Sequence, residues 1–390
     1  MISKKRAFFI SLMLVIASFF GSLAFNITVG NRVVITKSDY ENLKELSSVI
    51  YLKNEIERNF YQEVDRDSLL LGMKRGLFEG LGDPYSQFYT KEEYDRLMES
   101  TSGSYVGVGL VVSPGEDGFI TVIGPIEGTP ADRAGIKPND KILEVDNVKL
   151  SARELDIAVS MMKGEPDQKV VLTIQREGQP PFDVEIIRER IVLKSVNSEM
   201  MDDIGYIRIS SFDEKTGAEF KENLNTIKEN NPKGLIIDLR DNPGGYLDQV
   251  KEVADSIMGE GTIVYTQDRK GEKRFLKSDA NGSLDIPLVI LVNENSASAS
   301  EILAGAVRDN AVGTLVGNTT FGKGLVQNLI PLRTGEGYKM TVAQYFTPNG
   351  EYIDGTGITP EHLIEDEDEQ MEKAIAVSYT HLTLPTKRIV

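Results

Sequence analysis

Residues 287–305 read PLVILVNENSASASEILAG. The apolar run Pro287–Val292 has the length and composition of a strand, and the pattern turns helical from about Ala299, so three serines sit on a strand-to-helix turn. The same alternation surrounds it. IGYIRISSF (Ile204–Phe212) and GLIIDLR (Gly234–Arg240) come before, with a helix expected after Gly245, and GTLVG (Gly313–Gly317) and LVQNLIPL (Leu325–Leu332) come after. Strands alternating with helices predict an α/β layered core over residues 191–368.

Upstream the pattern changes to period two with many β-branched residues: YVGVGLVVS from Tyr105, GFITVIGPI, QKVVLTIQ and FDVEIIRER. Such runs read as strands. Between them lie GTPADRAGIKPNDKILEVDN (Gly128–Asn147), with a Pro-started short helix closed by Gly135, and a helical ARELDIAVSMMKG (Ala152–Gly164). These strings resemble a PDZ domain over residues 104–190. The resemblance implies that backbone N–H groups of Val106, Gly107, Val108 and Gly109 hold a peptide's terminal carboxylate as a nest of donors. Taken alone, the same four residues read as a glycine-containing strand start.

Before that module, Ser38-Asp39-Tyr40-Glu41 has the form of a capping box, with Ser38 as N-cap. Leu43, Leu46, Ile50 and Ile56 follow at roughly helical spacing, then a second stripe, Leu70, Met73, Leu77 and Leu81. Residues 31–103 are thus expected to be a helical region whose stripes pack on the main body, the alternative being an arm that pairs two copies. At the start, Lys4-Lys5-Arg6 precedes nineteen residues without a charge, Ala7–Phe25. That length and those cations predict an uncleaved membrane anchor within residues 1–30, with the rest of the chain extracytoplasmic. Ser22-Leu23-Ala24 also fits a signal-peptide cleavage site, which would make the protein secreted.

The chain of 390 residues has no cysteine, two histidines and a formal net charge of -17. Disulfides and thiolate chemistry are excluded, a His-rich metal site is excluded, and the acidic balance argues against nucleic acid as a partner. No cofactor or metal is implied. The acidic run Glu365–Glu369 reads as a solvated helix start, and residues 369–390 as a helix remnant with an atypical tail. The last thirteen residues, SYTHLTLPTKRIV, continue no preceding pattern, and His381 among them is set aside.

Ser298-Ala-Ser-Glu301 is itself a capping box, so the plain reading makes Ser298 a helix cap. The alternative makes it a nucleophile, exposed on the turn with helix N–H groups aimed at what it attacks. A base is then needed. A Ser-His-Asp triad lacks support, since His362 is the one credible histidine and no G-x-S-x-G elbow exists. Lys323 can serve if burial lowers its pKa, with Phe321 and Leu325 as flanking apolar walls and Gln327 on the same side of the strand. GNTTFGKG (Gly317–Gly324) is not a phosphate loop, because Gly324 stands where Ser or Thr must ligate magnesium and a strand, not a helix, follows. The trio Ser160-Met-Met-Lys163, Ser195-Val-Asn197 and Lys215-Thr-Gly217 matches a penicillin-recognising order, but its context does not fit.

NENSASASEILAGAVRDN with TTFGKGLVQ resembles the carboxy-terminal processing (tail-specific) proteases, and LGDPYSQFY, IGYIRISSF, DLRDNPGGYL and GTGITPEHLI carry the resemblance across residues 43–364. It implies a multidomain protein: a helical N-terminal region, a PDZ-like module, and an α/β serine protease core similar to the crotonase and Clp protease fold. By position it implies Ser298 as nucleophile, Lys323 as general base and Gln327 as its orienting partner. It also implies an oxyanion hole from the backbone N–H groups of Gly244 and Ala299. Substrates would be proteins or peptides with free C-termini. The reading from a different class is a PDZ-type peptide-binding scaffold without catalysis.

Overall fold

The computed structural model describes residues 4–24, 28–29, 32–33, 35–279 and 282–380. It divides into two units, Met1–Gly82 and Asp83–Val390.

The smaller unit holds helix α1 (Lys4–Ala24), the hairpin β1 (Thr28–Val29) and β2 (Arg32–Val33), and helices α2 (Lys37–Glu45), α3 (Ser47–Asn59) and α4 (Arg66–Glu79). The cap of α2 is Thr36, not Ser38: Thr36 Oγ1 accepts from the Asp39 N–H (3.1 Å) and the Asp39 carboxylate reaches back. Thr36 with Asp39 satisfies the same spacing rule two residues earlier. Leu46 interrupts the first apolar stripe, since α2 ends there and α3 begins. None of α2, α3 and α4 carries a buried residue, and Leu43, Ile50 and Leu77 are exposed. Among residues whose side chains are described, no helix is long and apolar enough to cross a membrane.

The larger unit begins with β3 (Gln87–Tyr89) and α5 (Lys91–Thr101), followed by the β-rich module. β4 (Ser104–Gly107) pairs antiparallel with β11 (Glu189–Val192), fastening the module where the chain enters and leaves it. Between them β5 (Leu110–Pro114), β6 (Ile120–Pro125), β7 (Lys141–Val145), β9 (Lys169–Gln175) and β10 (Phe182–Ile187) form a sheet ordered β10-β9-β7-β6-β5, with β8 (Val148–Lys149) paired to β7. The short α6 (Pro130–Arg133) and α7 (Leu155–Met162) complete the module. Alternation puts Ile142, Leu172 and Ile174 inside, against Ala158 and Met162 of α7.

The core sheet is ordered β12-β13-β14-β17-β18-β21, from β12 (Val196–Met201), β13 (Ile204–Ile209), β14 (Gly234–Asp238), β17 (Leu288–Val292), β18 (Thr314–Gly317) and β21 (His362–Leu363). All neighbours from β13 onward are parallel, while β12 pairs antiparallel with β13. Every residue of β14 and β17 is buried, as continuous apolar runs must be when helices cover both faces. Helices α8 (Thr216–Glu229), α9 (Leu247–Ile257) and α10 (Ala299–Asp309) supply Phe220, Val250 and Leu303 to one face. Helix α11 (Glu367–Thr380) covers the other, with Ala374 and Val377 on Ile236, Val289 and Val316.

That packing corrects the reading of residues 378–380 as part of an atypical tail. α11 is an integral layer, and Ser378, Tyr379 and Thr380 continue it: Ser378 is fully buried with its hydroxyl donating to Ala374 O (2.9 Å), and Tyr379 donates to Asp203. Ser378 packs on Gly234, where an added Cβ would lie 3.0 Å from Ser378 Cβ. His381 falls outside the described residues.

A second sheet, antiparallel, was not anticipated from the alternating pattern. β15 (Gly261–Asp268), β16 (Lys273–Ser278), β19 (Leu325–Pro331) and β20 (Gly337–Phe346) run in the order β16-β15-β20-β19, and β3 pairs with β20. Residues 83–103, expected with the N-terminal helices, therefore belong to the larger unit.

Candidate active site

β17 feeds the turn 293–297, and α10 starts immediately after Ser298. The three serines of the turn have different fates. Ser296 and Ser300 are fully buried and spend their hydroxyls on the main chain: Ser296 Oγ donates to Leu239 O (2.8 Å), and Ser300 Oγ donates to Asn242 O (2.9 Å). Ser298 is half-buried, lines a cleft of about 760 Å³ and makes no side-chain cap bond. Its backbone is strained, at φ 55° and ψ -110°, a conformation rare for any residue with a side chain. Glu301 Oε2 accepts the Ser298 N–H (2.8 Å) while Ser298 Oγ faces the Glu301 N–H in the capping box, and among the described hydrogen bonds the Ser298 hydroxyl donates to no group.

Glu301 is the residue that sequence reasoning undervalued. It is fully buried, and its carboxylate also accepts from the Gly322 N–H (2.7 Å), the Lys323 N–H (2.9 Å), Thr320 Oγ1 (2.6 Å) and, at 3.4 Å, the Tyr345 hydroxyl. One carboxylate therefore fastens the main chain of Ser298 to that of Lys323. The N–H groups of the GNTTFGKG loop, which in a phosphate loop would face a nucleotide, are turned on this carboxylate instead. The available signal was a lone carboxylate in the small, apolar helix start ASEILAGA.

Lys323 and Gln327 line the same cleft as Ser298, together with Ala299, Gly244 and Tyr345. Burial, reinforced by repulsion from Lys339 and opposed by Glu301, holds the Lys323 amine below the usual lysine range. The expected wall Phe321 is 55% exposed and is not among the residues lining the cleft. Leu325 does line the cleft, and the Tyr85 ring lies over Lys323 Nζ at 5.2 Å from its centroid. Gln327 Nε2 donates to Thr341 Oγ1 at 3.4 Å, which leaves its carbonyl oxygen available as an acceptor. Among the described residues no hydrogen bond yet joins Lys323 Nζ to Ser298 or Gln327. His362 is in β21 and is not among the lining residues.

Gly244 packs directly on the turn. A Cβ there would lie 2.7 Å from Ala297 O, 2.8 Å from Ser298 Cβ and 2.9 Å from the Ala299 nitrogen, and φ is 98°. Gly244 is thus beside Ser298, as expected of an oxyanion donor, but its N–H is donated to Asn242 Oδ1 at 2.8 Å. The Ala299 N–H, first in α10, has no partner among the described hydrogen bonds.

The β-rich module has its own groove of about 510 Å³, lined by Tyr105, Val108, Gly109, Leu110, Val159 and Met162, with Arg96, Glu99 and Ser100 of α5 along one side. Val108 and Gly109 are where the carboxylate nest was expected. Val106 and Gly107 are not among the lining residues; they lie in β4, paired with Arg190 and Glu189.

Residues 203–364 match Peptidase family S41, and residues 121–176 match the PDZ domain. The chain is 34% identical over 359 residues to the carboxy-terminal processing protease CtpA of Bacillus subtilis, an alignment covering 92% of this chain and 76% of that protein. It is 39% identical over 292 residues to the carboxyl-terminal-processing protease of Synechocystis sp., covering 73% and 68%. Among solved structures, the photosystem II D1 C-terminal processing protease shares 27% identity at a TM-score of 0.51, with 85% of this chain and 94% of that one covered. The fold and these matches together define a serine-type peptidase carrying a PDZ domain, which acts on proteins or peptides. The chain belongs to the carboxy-terminal processing proteases of peptidase family S41.

Proposed function

We propose that Ser298 and Lys323 form the catalytic dyad of this protease. The neutral Lys323 amine takes the hydroxyl proton as Ser298 Oγ adds to the scissile carbonyl, and the ammonium then gives that proton to the leaving amine. Water, activated by the same amine, releases the acyl group from Ser298. Gln327 accepts from the amine and aims its lone pair. The Ala299 N–H and, once turned away from Asn242, the Gly244 N–H stabilise the oxyanion. Only the neutral amine accepts a proton, so activity rises with pH along a limb set below the usual lysine range.

The observation that carries this reading is the division among the serines: two hydroxyls are spent inside the fold, and the third stands in the cleft on a strained turn. A fluorophosphonate probe on the full chain is expected to label Ser298, identified by mass spectrometry, and to leave a folded Ser298→Ala unlabelled. Labelling that persists in Ser298→Ala would mean that the serine is wrong.

The PDZ domain, in the same reading, presents substrates by their free C-termini, supported by Val108 and Gly109 at the groove. An extracytoplasmic location with α1 as anchor is supported by Lys4-Lys5-Arg6 ahead of the uncharged run Ala7–Phe25. Pairing of two copies through α2–α4 is supported by their exposed apolar edges.

A further inference from the structure

LGDPYSQFY is the sequence string to which the reaction assigns no part, and its Asp83–Ser86 segment is built as a clamp. Asp83 Oδ1 accepts from the Tyr85 N–H (3.0 Å), Asp83 Oδ2 accepts from Ser86 Oγ (2.5 Å), and Ser86 Oγ accepts from the Thr341 N–H (3.0 Å). β3 then pairs with β20 through Gln87 and Lys339. The turn is thereby pinned to β20 at Thr341, whose hydroxyl also receives the Gln327 amide. What the clamp holds in place is the Tyr85 ring, over Lys323 Nζ.

We propose that Tyr85 is a positioning residue for the general base: its ring covers the Lys323 amine, and its π face favours the ammonium formed when Ser298 gives up its proton. The proposal rests on the Ser298–Lys323 reading and deepens it. Two effects of the ring oppose each other. Excluding water disfavours the charged amine, whereas the ring quadrupole attracts it. An aliphatic cover would retain the first effect and lose the second, leaving the base too weak to hold the proton through the tetrahedral stage.

Other groups face the same amine: Lys339 from β20 repels the ammonium, and Glu301 from α10 attracts it. Asp354, Asp83 and Glu301 surround the phenol, which burial first and these carboxylates second hold above the usual tyrosine range. Tyr85 therefore stays a neutral ring while Lys323 titrates.

The test is the pH dependence of peptide cleavage by the full chain. Tyr85→Phe keeps the quadrupole and should hold the lysine limb in place. Tyr85→Leu keeps apolar cover alone and should move the limb to lower pH by about half a unit to one and a half units. A second measurement needs no turnover: in the Ser298→Ala background, the pH midpoint for acylation of the Lys323 amine, read by mass spectrometry, should shift down with Tyr85→Leu and not with Tyr85→Phe. Coincident midpoints for Leu and the unchanged residue, or equal shifts for Leu and Phe, would overturn the role of Tyr85. Full activity in Lys323→Ala would instead remove the dyad itself, so the two failures are distinct.

Discussion

Glu301 shows how a single buried side chain can fasten the main chain of Ser298 to that of Lys323. A fully buried carboxylate is tolerated because donors surround it, three of them main-chain N–H groups. Glu301→Gln keeps the shape but replaces an acceptor oxygen by an amide that faces N–H donors. It should lower stability by about 3 kcal/mol, measured by urea unfolding, and slow probe labelling of Ser298 further than unfolding accounts for. The charge has a separate signature. Glu301 opposes the lowering of the Lys323 pKa, so its neutralisation lets that pKa fall and moves the activity limb to lower pH. A variant with unchanged unfolding midpoint, labelling rate and limb would show that the clamp is idle.

At the scale of elements, the site depends on how closely the loop from β14 to α9 approaches the turn before α10. Asn242 is fully buried; its side chain donates to Ile209 O (2.8 Å), and its carbonyl accepts from the Ala297 N–H (3.0 Å) and from Ser300. Phe212 then brackets the glycines, its N–H donating to Gly244 O (2.9 Å) and its carbonyl accepting from the Tyr246 N–H (2.8 Å). Only a residue without Cβ fits at 244, where positive φ and three close atoms coincide. Gly244→Ala should cost roughly a hundredfold or more in kcat with a smaller change in KM, the pattern of a lost oxyanion donor. A steady-state assay in which KM alone rises would place Gly244 in substrate binding.

At the scale of the larger unit, α5 stands between two cavities. Ser100 lines both the PDZ groove and the active-site cleft, while Lys163 at the end of α7 is tied to Glu99 of α5 at 2.7 Å and sits over Tyr105. A peptide end held in the groove would thus lie beside the helix that borders the catalytic cleft. Amidating the C-terminus of a good substrate removes a charged acceptor and should lower kcat/KM by about ten- to more than a hundredfold. Deleting residues 104–190 should erase the difference between acid and amide. Equal cleavage of both forms by the intact chain would leave selection to the cleft alone.

The sequence by itself determined the strand-turn-helix unit around Ser298, the α/β layered core and the β-rich module, because continuous apolar runs and period-two alternation are local consequences of what each face must bury. It also singled out Ser298, Lys323 and Gln327 as candidates. It did not choose the cap of α2, since Thr36 with Asp39 and Ser38 with Glu41 satisfy one spacing rule equally well. Nor did it show α11 continuing through Ser378, which depends on the space above Gly234. Only the tertiary structure decided that the Tyr85 ring lies over the Lys323 amine while Phe321 is exposed, and that Glu301 joins the main chains of Ser298 and Lys323. Those partners come from the turn before β3, α10 and the loop before β19, far apart along the chain, and burial and hydrogen bonding between distant segments leave no periodic trace in the sequence.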